Sequence, residues 1–385
     1  MTGDFTPFRV EVPDGVLVDL RDRLARTRWP GPSPDHGWGY GTELRYLQEL
    51  CEYWRDGFDW RAAETRINRW PHLLTEIDGQ RVHCIHARSD DPDAFPLVLT
   101  HGWPGSVTEF LDVIEPLRNP AAFGAPGAPA FHVVCPSIPG YGWSGPTSEP
   151  GWDIRRVARA IAALMAGLGY ERYGAQGGDW GAIATMHLGY LDPAHVAGIH
   201  LNMVTAPAPE GVDRTAGLTK GELEALADMA QFQDRETGYQ RIQGTKPQTL
   251  GYGLTDSPAG LAGWIVEKFR TWSDCDGDVE SVFTKDQLLT NITTYWATNT
   301  ISSSTRLYYE TFSTGRRGSA MPGRIEVPTG VARFPREIYR PPRAWVEAAY
   351  HLTHWTEFPR GGHFAAMEQP QALIEDIRTF FATVR

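Results

Sequence analysis

The sequence predicts an α/β protein with a mostly parallel sheet covered on both faces, and three observations predict it. Apolar runs of strand length alternate with helical periodicities from residue 96 to residue 203. One of these runs ends in Gly177-Gly178-Asp179-Trp180-Gly181 and opens directly into a helical pattern. The alternation then breaks off and resumes at residue 325, which marks a helical insertion in the middle of the fold.

The elements follow in order. Val16, Leu20 and Leu24 recur at helical spacing over 15–26, and Trp29-Pro30 stops that helix. Leu44, Leu47, Cys51 and Trp54 mark a second helix, and 59–69 a third, so residues 1–75 read as an N-terminal helical domain. Alternation around Asp78-Gly79 predicts a β-hairpin over 75–83. Strands at 96–100, 131–135, 173–176 and 196–203 are separated by helices near 109–117 and 154–168, with a Pro/Gly/Ala-rich loop at 119–129. Residues 205–321 read as a lid inserted after the sixth core strand. A strand from 325, a helix near 343–350, a strand around 352–358 and a helix at 371–383 complete a core formed by 76–204 and 322–385. In such a sheet, sites form beyond the carboxyl ends of the strands.

Totals narrow the partners. A net charge of -11 argues against nucleic acid and anionic membranes, both of which favour a basic surface. No positively charged, then apolar, start marks a secretory signal, and no run approaches the roughly 20 apolar residues that span a bilayer. Cys51, Cys84, Cys135 and Cys275 stand far apart with no C-x-x-C pair, as buried thiols in a reducing compartment do. The expectation is a cytoplasmic protein with a small-molecule partner. Contact between lid and N-terminal helices is compatible with a homodimer, and nothing demands one.

Three places carry chemistry. Glycines around Asp179 suit a strand-to-helix elbow, which lifts the central side chain clear. Where the familiar elbow has serine, this one has a carboxylate, which attacks carbon without prior deprotonation and leaves an ester that must then be hydrolysed. Taken alone, the segment reads equally well as a turn with a helix-capping Asp; its neighbours decide. His101-Gly102-Trp103-Pro104-Gly105 follows a strand end and can expose a backbone N–H, so the N–H groups of Trp103 and Trp180 are candidates for an oxyanion hole. His363, in Arg360-Gly361-Gly362-His363-Phe364, follows the last strand, where the base lies in the order nucleophile, acid, histidine. Its orienting carboxylate is Glu337, from the loop after the preceding strand, with Glu357 as rival because it is closer in sequence.

Two further patterns carry less. Asp274-x-Asp276-x-Asp278 has Val279 and Lys285 where a calcium loop has Gly and Glu, so it reads as a solvated acidic turn. Gly140-Tyr141-Gly142-Trp143-Ser144-Gly145 matches the dinucleotide fingerprint, but Pro136, Pro139 and Pro146 break the required strand and helix, leaving a plain loop.

Together, the three signatures around His101, Asp179 and His363 resemble those of microsomal-type epoxide hydrolases in the α/β-hydrolase superfamily. Thr27-Arg28-Trp29-Pro30 and the run from Cys51 to Trp60 resemble that family's N-terminal domain, so the likeness covers nearly the whole chain. The resemblance implies an α/β-hydrolase fold and roles for Asp179 as nucleophile, His363 as base and Glu337 as its charge partner. It also implies two lid tyrosines that donate to the epoxide oxygen, matched by Tyr239 and Tyr308; Tyr309 is the adjacent rival. An epoxide and water would give a vicinal diol, with no metal or organic cofactor. Animal members carry an N-terminal membrane anchor, and this chain opens at the domain itself, which implies a soluble bacterial-type enzyme. Relatives of this kind occur in secondary metabolism, including enediyne antibiotic pathways, where bulky aryl or alkenyl epoxides are opened. A haloalkane dehalogenase also uses an Asp followed by Trp, but holds its halide with side-chain N–H donors. A non-catalytic binding protein of this fold would have no need of Asp179, His363 and Glu337 together.

Overall fold

A computed structural model describes residues 3–211, 213–312 and 321–385. Nine strands form one sheet in the order β1-β2-β3-β5-β4-β6-β7-β8-β9. They are β1 (Thr6–Phe8), β2 (His72–Ile77), β3 (Gln80–Ala87), β4 (Phe95–Thr100), β5 (Phe131–Pro136), β6 (Tyr173–Gly177), β7 (Val196–Leu201), β8 (Ile325–Arg333) and β9 (Tyr350–Glu357). The pairings from β5 through β4, β6, β7 and β8 to β9 are parallel, and those joining β1, β2, β3 and β5 are antiparallel. β6 and β7 are buried along their whole length, as strands covered on both faces must be.

The expected hairpin is present as β2 and β3, and it turns at Asp78 and Gly79, both with positive φ. That conformation matches the twist of the flanking strands. β1 is an addition to the sequence reading: three residues, mostly exposed, pair with β2 and extend the sheet edge. The helix expected at 109–117 is instead a 3₁₀ turn, Val107–Phe110, followed by a short helix, Ile114–Arg118.

The helices in chain order are α1 (Asp14–Ala25), α2 (Leu44–Asp56), α3 (Trp60–Ile67), α4 (Ile114–Arg118), α5 (Ile154–Gly167) and α6 (Asp179–Leu191). The insertion after β7 supplies α7 (Lys220–Arg235), α8 (Gly238–Thr245), α9 (Pro247–Asp256), α10 (Pro258–Trp272), α11 (Lys285–Thr298) and α12 (Ile301–Phe312). α13 (Arg343–Ala349), α14 (Ala365–Glu368) and α15 (Pro370–Phe381) complete the chain. The N-terminal helices brace the insertion. Buried Trp54 on α2 donates from Nε1 to Thr293 on α11 at 2.9 Å, and Thr42 donates to the Gly263 carbonyl on α10 at 2.7 Å.

Among the described residues no helix is long and apolar enough to cross a membrane, and no cluster of His, Cys, Asp and Glu could hold a metal ion. All four cysteines are buried free thiols.

Candidate active site

The elbow turns where β6 meets α6. Asp179 is the first residue of the helix and has φ +50°, a left-handed conformation that costs a non-glycine residue about 1–3 kcal/mol. Close packing explains its small neighbours. A Cβ on Gly181 would lie 1.9 Å from the Thr100 carbonyl oxygen, and one on Gly177 would lie 2.3 Å from that of Gly181. Only bare backbone fits, and it drives the Asp179 side chain out over the ends of β4 and β6.

That side chain meets the groups that the sequence placed near it. The Trp103 N–H donates to Asp179 Oδ1 at 2.8 Å, and His363 Nε2 lies 3.5 Å from Oδ2. The Trp180 N–H belongs to the first turn of α6, whose leading N–H groups have no intrahelical acceptor. His363 Nδ1 is 2.7 Å from Glu337 Oε1, and both residues are buried. Burial by itself would lower the His363 pKa; the charges and hydrogen bonds of Glu337 and Asp179 outweigh it and raise it well above the ordinary value. The two flanking carboxyl groups thus favour the protonated imidazole.

Register explains why Glu337 is the partner. Beyond the ends of β8 and β9, Arg336 and Gly362 form one more parallel bridge, with Arg336 N–H donating to the Gly361 carbonyl at 3.0 Å. The next residue on each side is Glu337 and His363. Glu357, the rival, ends β9 at the surface, where it accepts from Trp355 Nε1 at 3.1 Å and lies 3.6 Å from Arg333.

The insertion closes the site with aromatic rings. Tyr239 stacks on Trp103, with centroids 5.3 Å apart and planes 7° from parallel. Tyr308 meets Trp180 edge-on at 4.8 Å, and the two tyrosine rings are 6.0 Å apart. Burial, reinforced by the Asp179 charge, holds Tyr239 well above the ordinary phenol range; burial and then Tyr239 and Asp179 do the same for Tyr308. Both phenols therefore remain protonated donors. Tyr309 is 40% exposed on the opposite side of α12, which separates it from its neighbour. Buried Lys268 lies with its ammonium 4.8 Å from the Tyr239 ring centroid, a cation–π contact no spacing argument singled out.

Residues 101–102, 140–145 and 274–278 turn out to be structural. His101 is buried, accepts from the Ile138 N–H at 3.2 Å, and is pushed down to about 4 by burial. Gly142–Ser144 is a buried 3₁₀ turn. The acidic turn departs from the sequence reading in one respect. Asp274 is not merely solvated: it accepts the Gly361 N–H at 2.8 Å, while the Trp272 carbonyl accepts the His363 N–H at 3.0 Å. The segment that follows α10 thus pins the histidine loop.

The chain is matched by known proteins in sequence and fold. Residues 5–110 match the family described as epoxide hydrolase N terminus, and residues 96–249 match the alpha/beta hydrolase fold family. The chain is 46% identical over 381 residues to a provisionally named epoxide hydrolase of Stigmatella aurantiaca, covering 99% of this chain and 85% of that protein. It is 39% identical to epoxide hydrolase 1 of Sus scrofa, covering 97% of this chain and 88% of the relative. The chain belongs to the microsomal-type epoxide hydrolase family. The solved juvenile hormone epoxide hydrolase of the silkworm Bombyx mori superposes with a TM-score of 0.92 at 31% identity, covering 100% of this chain and 95% of that one. The Aspergillus niger epoxide hydrolase superposes at 0.89, also at 31% identity, covering 99% and 97%. As a member of this family the chain is an epoxide hydrolase with the α/β-hydrolase fold, and an epoxide and water are its substrates.

Proposed function

We propose that this enzyme opens its epoxide through a covalent ester on Asp179, which His363 and Glu337 then hydrolyse. One Asp179 oxygen attacks an epoxide carbon, the carbon–oxygen bond of the ring breaks, and the opening oxygen, held by hydrogen bonds from Tyr239 and Tyr308, takes a proton from that pair, which the His363 imidazolium replaces. Water then attacks the ester carbonyl, giving its proton to His363 Nε2, while the N–H groups of Trp103 and Trp180 hold the oxyanion. Collapse releases the diol and restores the carboxylate. The observation that supports this reading best is the imidazole of His363, 3.5 Å from Asp179 and 2.7 Å from Glu337.

Electrostatics support the order of the two steps. In the resting site two carboxylates favour the imidazolium. Once Asp179 is esterified its charge is gone, so burial weighs against Glu337 alone and the His363 pKa falls. The neutral base then exists when water needs one. In this reading residues 1–75 brace residues 205–321 as the lid, over a core of 76–204 and 322–385.

The rings of Trp103, Tyr239, Trp180 and Tyr308 support a bulky aryl or alkenyl epoxide, of the kind opened in natural-product biosynthesis such as enediyne pathways. Four buried free thiols support a cytoplasmic location. A panel of aryl and small aliphatic epoxides tests the substrate class, and a clear preference for the small ones counts against it. The covalent step is tested by one turnover of styrene oxide in oxygen-18 water with enzyme in excess. Unlabelled diol and labelled Asp179 are expected; labelled diol with an unlabelled peptide would mean direct attack by water.

A further inference from the structure

One carboxyl near Asp179, on the half-buried residue Glu109, has no part in the reaction described above. Glu109 lies in the 3₁₀ turn Val107–Phe110, and its side chain folds back on the loop that carries Trp103. A Cβ on Gly105 would lie 1.4 Å from Glu109 Oε1, so glycine at that place leaves the volume that the carboxyl fills. The loop is held from the insertion: Tyr295 donates to the Gly105 carbonyl at 2.6 Å, and Asn291 donates to that of Pro104 at 2.7 Å.

Glu109, Asp179 and His363 line one cavity together, with about 20 Å³ open to the centre of a water molecule. That is room for about one water. Thr100 and Gln176 share its wall, are at most 1% exposed, and have Oγ1 and Oε1 respectively without a partner among the described residues. A space of this size, edged by polar atoms and open to both Asp179 and His363, is suited to the water that attacks the ester.

We propose that Glu109 holds the hydrolytic water in this cavity, accepting the hydrogen bond of the proton that does not pass to His363 and so aiming the oxygen at the Asp179 ester carbonyl. The proposal rests on the roles given above to Asp179 and His363. The new bond joins the water oxygen to the carbonyl carbon, and one water proton goes to His363 Nε2. The ester carbon–oxygen bond then breaks, the departing alkoxide takes that proton from His363, and the second water proton, left on the Asp179 carboxyl, passes to His363 to restore carboxylate and imidazolium. Glu109 gains and loses nothing in the cycle.

Charge favours this role. Asp179 and Glu337 already face the imidazole, and a third carboxylate beside them would be costly. Desolvation and the Asp179 charge, opposed by His363 and by a backbone hydrogen bond from Ser106, push Glu109 up to about 8, so that at neutral pH it is a carboxylic acid that still has an acceptor site for the water. Tyr295 on α11 faces it too. On α14, Glu368 directs its oxygens to the N–H groups of Phe364 and Asp274 at 2.8 Å, and on β5 His132 is engaged with Ser89.

The test is a single-turnover rapid-quench experiment on the wild type, Glu109→Gln and Glu109→Leu, timing formation and decay of the Asp179 ester of styrene oxide across pH. Glu109→Leu should form the ester within about twofold of the wild-type rate and hydrolyse it about 10- to 100-fold more slowly. Glu109→Gln, which keeps an acceptor oxygen and cannot ionise, should retain most of the hydrolysis rate and lack the decline the wild type shows above about pH 8. Hydrolysis at the wild-type rate in Glu109→Leu overturns the proposal while leaving the ester mechanism intact. So does a parallel loss of both steps with a lowered melting temperature, or the same alkaline decline in Glu109→Gln. If the wild type itself forms no ester, the reading of Asp179 fails, and the proposal with it.

Discussion

Among the described residues, two clusters of carboxylate and histidine stand toward the carboxyl ends of the parallel strands, and they behave differently. In one, Asp376 on α15 accepts from His200 Nε2 at 2.9 Å, His354 Nε2 at 2.7 Å and Thr356 Oγ1 at 2.6 Å. Burial would raise that carboxyl, but these hydrogen bonds outweigh it and hold it well below the ordinary carboxylate range. In the other, Asp179 receives one backbone N–H, stands 3.5 Å from its imidazole, and faces a cavity. Three donors take up most of the roughly four acceptor sites of one carboxylate, whereas the other keeps most of its sites open toward a cavity. Composition is nearly the same in the two clusters, and it is coordination that separates the brace from the proposed nucleophile.

Substitutions can break this comparison. The largest effect should come from Asp179→Asn, which removes the nucleophilic oxygen: diol formation should fall on the order of 10⁴-fold or more with the melting temperature little changed. Retained activity would remove the distinction. His363→Gln should stop the cycle at the ester, giving one enzyme equivalent of bound substrate on mass analysis and a similarly low steady-state rate. Because His363 loses one stabilising carboxylate on esterification, ester should also accumulate in the wild type as pH falls, and hydrolysis should speed up as pH rises through the lowered value. Opposite behaviour would place the base elsewhere.

Next in size, Tyr239→Phe and Tyr308→Phe should each slow ester formation about 10²-fold while leaving ester hydrolysis within a few fold, measured by rapid quench. Glu337→Gln should slow hydrolysis about 10- to 100-fold, whereas Glu357→Gln should stay within twofold, since it meets only surface groups. At Asp376 the signs reverse. Asp376→Ala should leave kcat within about twofold and cost about 3 kcal/mol of stability. Its carboxyl is depressed in the folded state, so its stabilisation is complete at neutral pH and is lost as pH falls below about 4. The variant's stability should therefore depend less on pH over that range, which thermal melts would report.

Much of this was legible in the chain alone. Alternation and periodicity marked the sheet, the helical insertion and the elbow, because strand and helix periods are local properties. The glycine spacing at 177 and 181 was readable as an elbow, and the crowding at Gly177 is local, against Gly181, whereas Gly181 is crowded by Thr100 at the end of β4. Less local features escaped. β1 is three residues long and acquires its character from pairing with β2, which begins at His72. Asp274 looked like a solvated turn, since its partner Gly361 is 87 residues away. Glu109 was read only as part of a helix, because Asp179 and His363, with which it lines one cavity, meet it only once β4, β6 and β9 are aligned.

By itself, then, the sequence determined which residue types carry the chemistry, in what order, and on which kinds of element. Those are properties of short windows: periodicity, glycine spacing, and a motif's position relative to a strand end. The sequence favoured Glu337 over Glu357 and Tyr308 over Tyr309, but only the tertiary structure sets Glu337 against the imidazole, through a single bridge, Arg336 to Gly362, that puts two loops in register. It alone showed which Asp faces a cavity and which is held by three donors. Burial, hydrogen-bond count and cavity space arise from residues brought together across the chain, and no window of sequence contains them.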